Sequence, residues 1–175
     1  MTTVMASPSA PSRQSDQQAF RVEVAGKPGV SDAAGAAVKA QLQHLGVASV
    51  TDVRVAKIYE LRGSVTASQV NEIAQQLLAD PIIQDFQVSG SRSPAARPAA
   101  WRIEVWLKPT VSDPVGESVR RAIGDLGMPQ PEAVRCGTSF SFFGRLNGGQ
   151  AEKIALKLLA NPIVHRYSVT PPQGA

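Results

Sequence analysis

With 175 residues, 43% of them hydrophobic but only 5% aromatic, the chain has the size of one ordinary domain or two very small ones, and aliphatic side chains must do most of the packing. The formal charge of +4 is spread over interleaved acids and bases rather than gathered on one element, which speaks against nucleic acid as a partner. A single cysteine, Cys136, excludes an internal disulfide; no apolar run reaches the roughly 18–20 residues of a membrane-crossing helix, the first residues lack the order of a secretory signal, and a soluble cytoplasmic protein is expected.

Residues 1–19 are rich in Ser, Ala, Pro and Gln and read as a tail that cannot bury enough surface to order itself. Phe20, Val22 and Val24 then alternate with Arg21 and Glu23, the period of a half-buried strand. Lys27-Pro28-Gly29 breaks it. Ser31 or Asp32 caps a helix that carries Val38, Leu42 and Leu45 on one face and ends at Gly46. Val53 to Leu61 read as a second strand, continuing through Arg62-Gly63 either into a hairpin or to a simple end. A second helix over about Ser68 to Leu78 is stopped by Asp80-Pro81, and Ile82 to Val88 form the last strand. Residues 89–100 (SGSRSPAARPAA) read as a linker.

Beyond the linker the pattern starts again. A shift of 81 residues lays 20–88 on 101–169 without a gap, and 24 of the 69 aligned pairs are identical. FRVEV meets WRIEV, KPGVSDAAG meets KPTVSDPVG, and EIAQQLLADPII meets KIALKLLANPIV. The chain is a duplicated β-α-β-(β)-α-β unit, with a short tail at 170–175. A sheet with two helices on one face is the natural α+β packing. Units this small are marginal alone, so the two copies are expected to pack as an intramolecular pseudo-dimer.

In the first copy VTDVRVAKIYEL followed by LLADPIIQDFQV resembles the PurS family, and in the second LKPTVSDPVGESV and LLANPIVHRY resemble the same family's junctions. The resemblance implies a non-catalytic scaffold subunit of phosphoribosylformylglycinamidine synthase, a ligase of purine biosynthesis that uses glutamine and ATP. It implies PurL synthetase and PurQ glutaminase as partners, ammonia passed between them, and no cofactor held by this chain. The alternative reading is a small-molecule-sensing regulatory α+β module, since paired units of this kind also bind effectors. An RNA-binding module resting on the more basic second copy is a weaker reading, because lysines and arginines do not interleave with Phe140, Phe142 and Phe143.

No catalytic or metal-binding set emerges. Cys136 aligns with Val55 and reads as a core thiol; His44 and His165 lack partners at metal-ligand spacing. Asp32/Asp113 with Gly35/Gly116 read as a helix cap plus a glycine for close packing, with an anion or partner contact as the alternative. Gly148-Gly149 reads as a loop or cap rather than a phosphate cradle. The residues put forward for a partner interface are Arg54, Lys57, Glu60, Arg135, Phe140 and Phe142. Lys57 becomes Thr138 and Glu60 becomes Ser141 in the second copy, so the expectation is a polar strand for one partner and an apolar SFSFFG surface for another.

Overall fold

Alternating apolar residues make β1 (Ala19–Gly26) a strand with Phe20, Val22 and Val24 buried on one face. This is a computed structural model, and it describes residues 18–90 and 98–173; most of the expected N-terminal tail, the middle of the linker and the last two residues lie outside these. Asp32 caps α1 (Ala33–Leu42), and a 3-10 turn follows that ends at Gly46 in the left-handed region. β2 (Val50–Arg62) simply ends, at Gly63, without a hairpin. Thr66 and Gln69 form a reciprocal capping box for α2 (Ala67–Ile73), whose last turn, Ala74–Leu78, is π-helical. The second copy repeats this order: β4 (Trp101–Leu107), α3 (Pro114–Asp125) capped by Asp113, β5 (Ala133–Gly144), α4 (Gly148–Ile154) capped by Asn147, and β6 (His165–Thr170).

The last strand of the first copy, β3 (Gln84–Gly90), starts later than the apolar run beginning at Ile82 suggests. Asp80 Oδ1 accepts from Ile82 N, and Gln84 N donates to Asp80 O, so the chain turns through these residues before pairing begins.

All six strands form one antiparallel sheet in the order β3-β1-β2-β5-β4-β6. The two copies meet at its centre, where β2 pairs with β5 from Val50↔Gly144 to Arg62↔Ala133. Lys57 lies opposite Thr138, its own counterpart under the shift of 81, so a pseudo-twofold axis passes through that pair. β1 covers only the Ala56–Arg62 half of β2, and β4 only the 137–142 half of β5. The remaining halves reach past their own copy into the other.

The hydrophobic cores follow that overlap. Phe20, Val22, Leu61, Val70 and Ile73 of the first copy pack with Ile123 and Val134 of the second. Leu42, Val47, Val50 and Val53 of the first copy pack with Ile103, Phe142 and Ile154 of the second. Neither copy owns a complete core. The expected pseudo-dimer is therefore a single folded body, and apolar burial across it supplies what each small unit lacks.

Candidate partner interface

The helices cover one face of the sheet, and the other face carries the polar residues of β1 and β4. There Arg21 donates to both carboxylate oxygens of Glu104, at 2.9 and 2.8 Å, and Arg102 Nε donates to Glu104 at 2.8 Å. Arg102 also donates to Glu23, and Arg21 closes the ring to Glu23 at 3.4 Å. Each member of this ring has its counterpart in the other copy, and the ring crosses the pseudo-twofold axis. Strands lie roughly 5 Å apart, and two of them separate β1 from β4. The sheet must therefore curl around this face for the side chains to meet.

Beneath the ring lie Ile58, opposite Glu23, and Ser139, opposite Glu104; both are fully buried although they face away from the helices. Ser139 Oγ has no hydrogen-bond partner among the described residues. Trp106 lies directly on Gly137, where an added Cβ would come within 2.6 Å of the indole. The first copy has Ala25 opposite Ala56 at the equivalent place. Arg166 sits 5.7 Å over the Trp106 ring.

Burial alone would raise the Glu104 carboxyl, but the guanidiniums of Arg21 and Arg102 outweigh it and hold the carboxyl below its ordinary value. Its contribution to stability is thus complete above the ordinary glutamate range and is lost as pH falls through the depressed folded value. Thermal midpoints taken between about pH 6 and pH 3 are expected to fall steeply for the native chain and less steeply for Glu104→Gln. Equal slopes would show that the ring does not couple to folding.

The residues expected at an interface divide sharply. Arg54 and Glu60 lie on the polar face; Arg54 is exposed and paired with Asp52, whereas Glu60 is half-buried, paired with Arg62, and directly opposite Arg21 and Arg135. Arg135 shares that face and donates to Pro109 O at 3.2 Å. Lys57 lies on the helix side, exposed, at the axis. Phe140 and Phe142 do not form an apolar surface. Phe142 is 1% exposed inside the second core, and Phe140 is half-buried against it. The alternation of SFSFFG turns both rings toward the helices and Ser139 and Ser141 the other way, leaving Phe143, 39% exposed, as the outward aromatic.

Cys136 is half-buried against the first core, and burial, reinforced by the Asp113 carboxylate, pushes its thiol up to about 12, the wrong direction for a nucleophile. Asp32 and Asp113 each cap a helix through Gly35 N or Gly116 N and with the second oxygen hold Val55 N or Cys136 N. His165 Nδ1 accepts from Asn161 N. Gly148 and Gly149 open α4. Among the described residues no three or more His, Cys, Asp or Glu are gathered as metal ligands, and no helix is long and apolar enough to cross a membrane.

Sequence reasoning passed over two features. One is the Arg21-Glu23/Arg102-Glu104 ring, although the identity of R-x-E in both copies was a visible signal. The other is a pair of isoleucines, Ile82 and Ile163, which are 82% and 79% exposed at equivalent turns.

Two stretches, residues 19–92 and 100–173, each match the family model described as PurS, phosphoribosylformylglycinamidine (FGAM) synthase. The phosphoribosylformylglycinamidine synthase subunit PurS of Synechocystis is 39% identical over 71 residues, 38% of this chain and 71% of that relative. Among solved structures, PurS of B. subtilis is 29% identical, covering 43% of this chain and 99% of its own, with a TM-score of 0.40. PurS of Methanocaldococcus jannaschii is 23% identical, covering 44% and 99%, also with a TM-score of 0.40. Each of these relatives matches less than half of the chain, while the two family matches lie end to end along it. The chain belongs to the PurS family and carries two of its units fused in one polypeptide.

Proposed function

We propose that this chain is the non-catalytic scaffold subunit of a cytoplasmic phosphoribosylformylglycinamidine synthase in purine biosynthesis, holding the PurL synthetase and the PurQ glutaminase together and supporting the passage of ammonia between them. The family supports the enzyme, since the Synechocystis relative is named as a subunit of it. The observation that carries the scaffold role is the single six-stranded sheet, in which two family units share both cores and yet present different side chains at their two ends. A rigid body with two unlike ends suits the joining of two unlike partners. ATP and glutamine belong to the partners, and this chain holds no cofactor.

Reconstitution tests the reading. The chain is mixed with the synthetase and glutaminase from the same genome, and amidine synthesis is followed with glutamine or with free ammonia. Glutamine-dependent activity is expected to require the chain, and ammonia-dependent activity is not. If glutamine use is the same without the chain, the scaffold role fails. A thermal shift with an amino acid or nucleotide in the absence of partners would then favour an effector-sensing module.

A further inference from the structure

One exposed aliphatic side chain needs no explanation, but here two isoleucines stand almost fully in water at matched turns of the two copies. Ile82 and Ile163 each follow a proline at the start of an outermost strand, β3 or β6. The turns are rigidly built. Asp80 Oδ1 accepts from Ile82 N at 2.8 Å, and Asn161 Oδ1 accepts from Ile163 N at 3.0 Å. Gln84 Oε1 and His165 Nδ1 accept from the backbone N–H of Asp80 and Asn161. Lys27 and Lys108 each brace a turn twice, through the main-chain N–H to Ile83 O or Val164 O and through Nζ to Pro81 O or Pro162 O. A side chain held out in this way loses little entropy on docking.

The backbone device is the same at both ends, but its surroundings are not. Lys27, Asp80 and Asp85, net −1, lie about the Ile82 turn; at the Ile163 turn stand Lys108 and Asn161, net +1, while Arg166 lies over the Trp106 ring. Gln75, which lines the groove beside Pro81 and Asp85, is replaced by Leu156, 42% exposed. Two ends of opposite sign do not fit a common polyanion, and each displays an apolar knob that fits a protein socket.

We propose that the two turns are docking knobs for two different protein partners: the Ile82 end for an apolar socket with a basic rim, and the Ile163 end, with Leu156, for an apolar socket with an acidic rim. This rests on the scaffold reading above and assigns one end of the sheet to each partner. The same charges would let copies of this chain join head to tail. That contact does not close on itself and would give open-ended chains rather than a defined assembly.

The test uses the full chain and its synthetase and glutaminase chains, immobilised separately, with formylglycinamide ribonucleotide, glutamine and ATP present. Ile82→Ser and Ile163→Ser, both at water-exposed positions, are checked for an unchanged melting temperature. Each is expected to weaken a different partner at least tenfold and to leave the other within twofold. Asp85→Arg should weaken the same partner as Ile82→Ser. Retention of both partners by both isoleucine variants, or loss of the same partner by both, overturns the assignment while the scaffold reading stands. A native chain that binds neither partner overturns both. Concentration-dependent sedimentation abolished by either variant reassigns the turns to a second copy of this chain and overturns the two-partner reading.

Discussion

Phe142→Ala is expected to cost about 3–5 kcal/mol of folding stability, the usual range for emptying a buried phenylalanine site. Phe142 is 1% exposed, and it stands between Val53 of β2 and Trp101 of β4, in the core that both copies build. Its neighbours come from two units and from both sides of β5, so they cannot collapse onto the space without shifting the central strand pair. The check is urea denaturation of Phe142→Ala beside Phe143→Ala, whose ring is 39% exposed. A large fall in midpoint at constant slope is expected for the first, and a change within about 0.5 kcal/mol for the second. If Phe142→Ala left stability intact and weakened assembly instead, Phe142 would be a contact residue after all.

That contrast marks the boundary of what the sequence made legible. The caps were readable because their signals are local: Asp32 and Gly35 stand three residues apart in both copies, and one hydrogen bond explains the spacing. The duplication was readable because identity survives at a fixed offset. Strand period told which residues of β5 share a face, but not what covers that face. SFSFFG has the same alternation whether its phenylalanines meet helices or water. The answer lies in the packing over that half of the sheet of α4, which follows it closely in the chain, and of α1, which belongs to the other copy. The ion-pair ring was hidden for a similar reason. Arg21 and Glu104 are separated by 83 residues and by two intervening strands, and only the curl of the sheet brings them together. The exposed isoleucine of the first copy was hidden by a competing rule, since DPII reads as a helix stop followed directly by a buried strand, whereas a side-chain turn delays the strand by two residues.

Gly35→Ala and Gly116→Ala are each expected to destabilise the chain by about 2–3 kcal/mol, against the ordinary preference of a helix for alanine over glycine by about 1 kcal/mol. A Cβ at Gly35 would lie 2.1 Å from Val53 O, and one at Gly116 would lie 2.2 Å from Val134 O. Both obstacles are backbone carbonyls of the central strands, which cannot swing aside as a side chain can. The helix must lift instead, and lifting pulls Asp32 or Asp113 from the strand N–H of Val55 or Cys136 that it holds at 2.7 Å. α1 and α3 sit on the halves of β2 and β5 that cross into the other copy, so the same movement loosens the union of the two units. Gly149→Ala, which meets only ordinary contact near Asn147, should leave stability unchanged or slightly raised. Urea midpoints of the three variants separate a steric origin from a propensity effect: a rise at all three positions would mean that the helices do not lie as close to the sheet as these glycines require. A loss confined to Gly35 and Gly116 would tie the repeated S-D-x-x-G motif to the seam between the copies, because only there does a backbone carbonyl of a central strand stand where the Cβ must go.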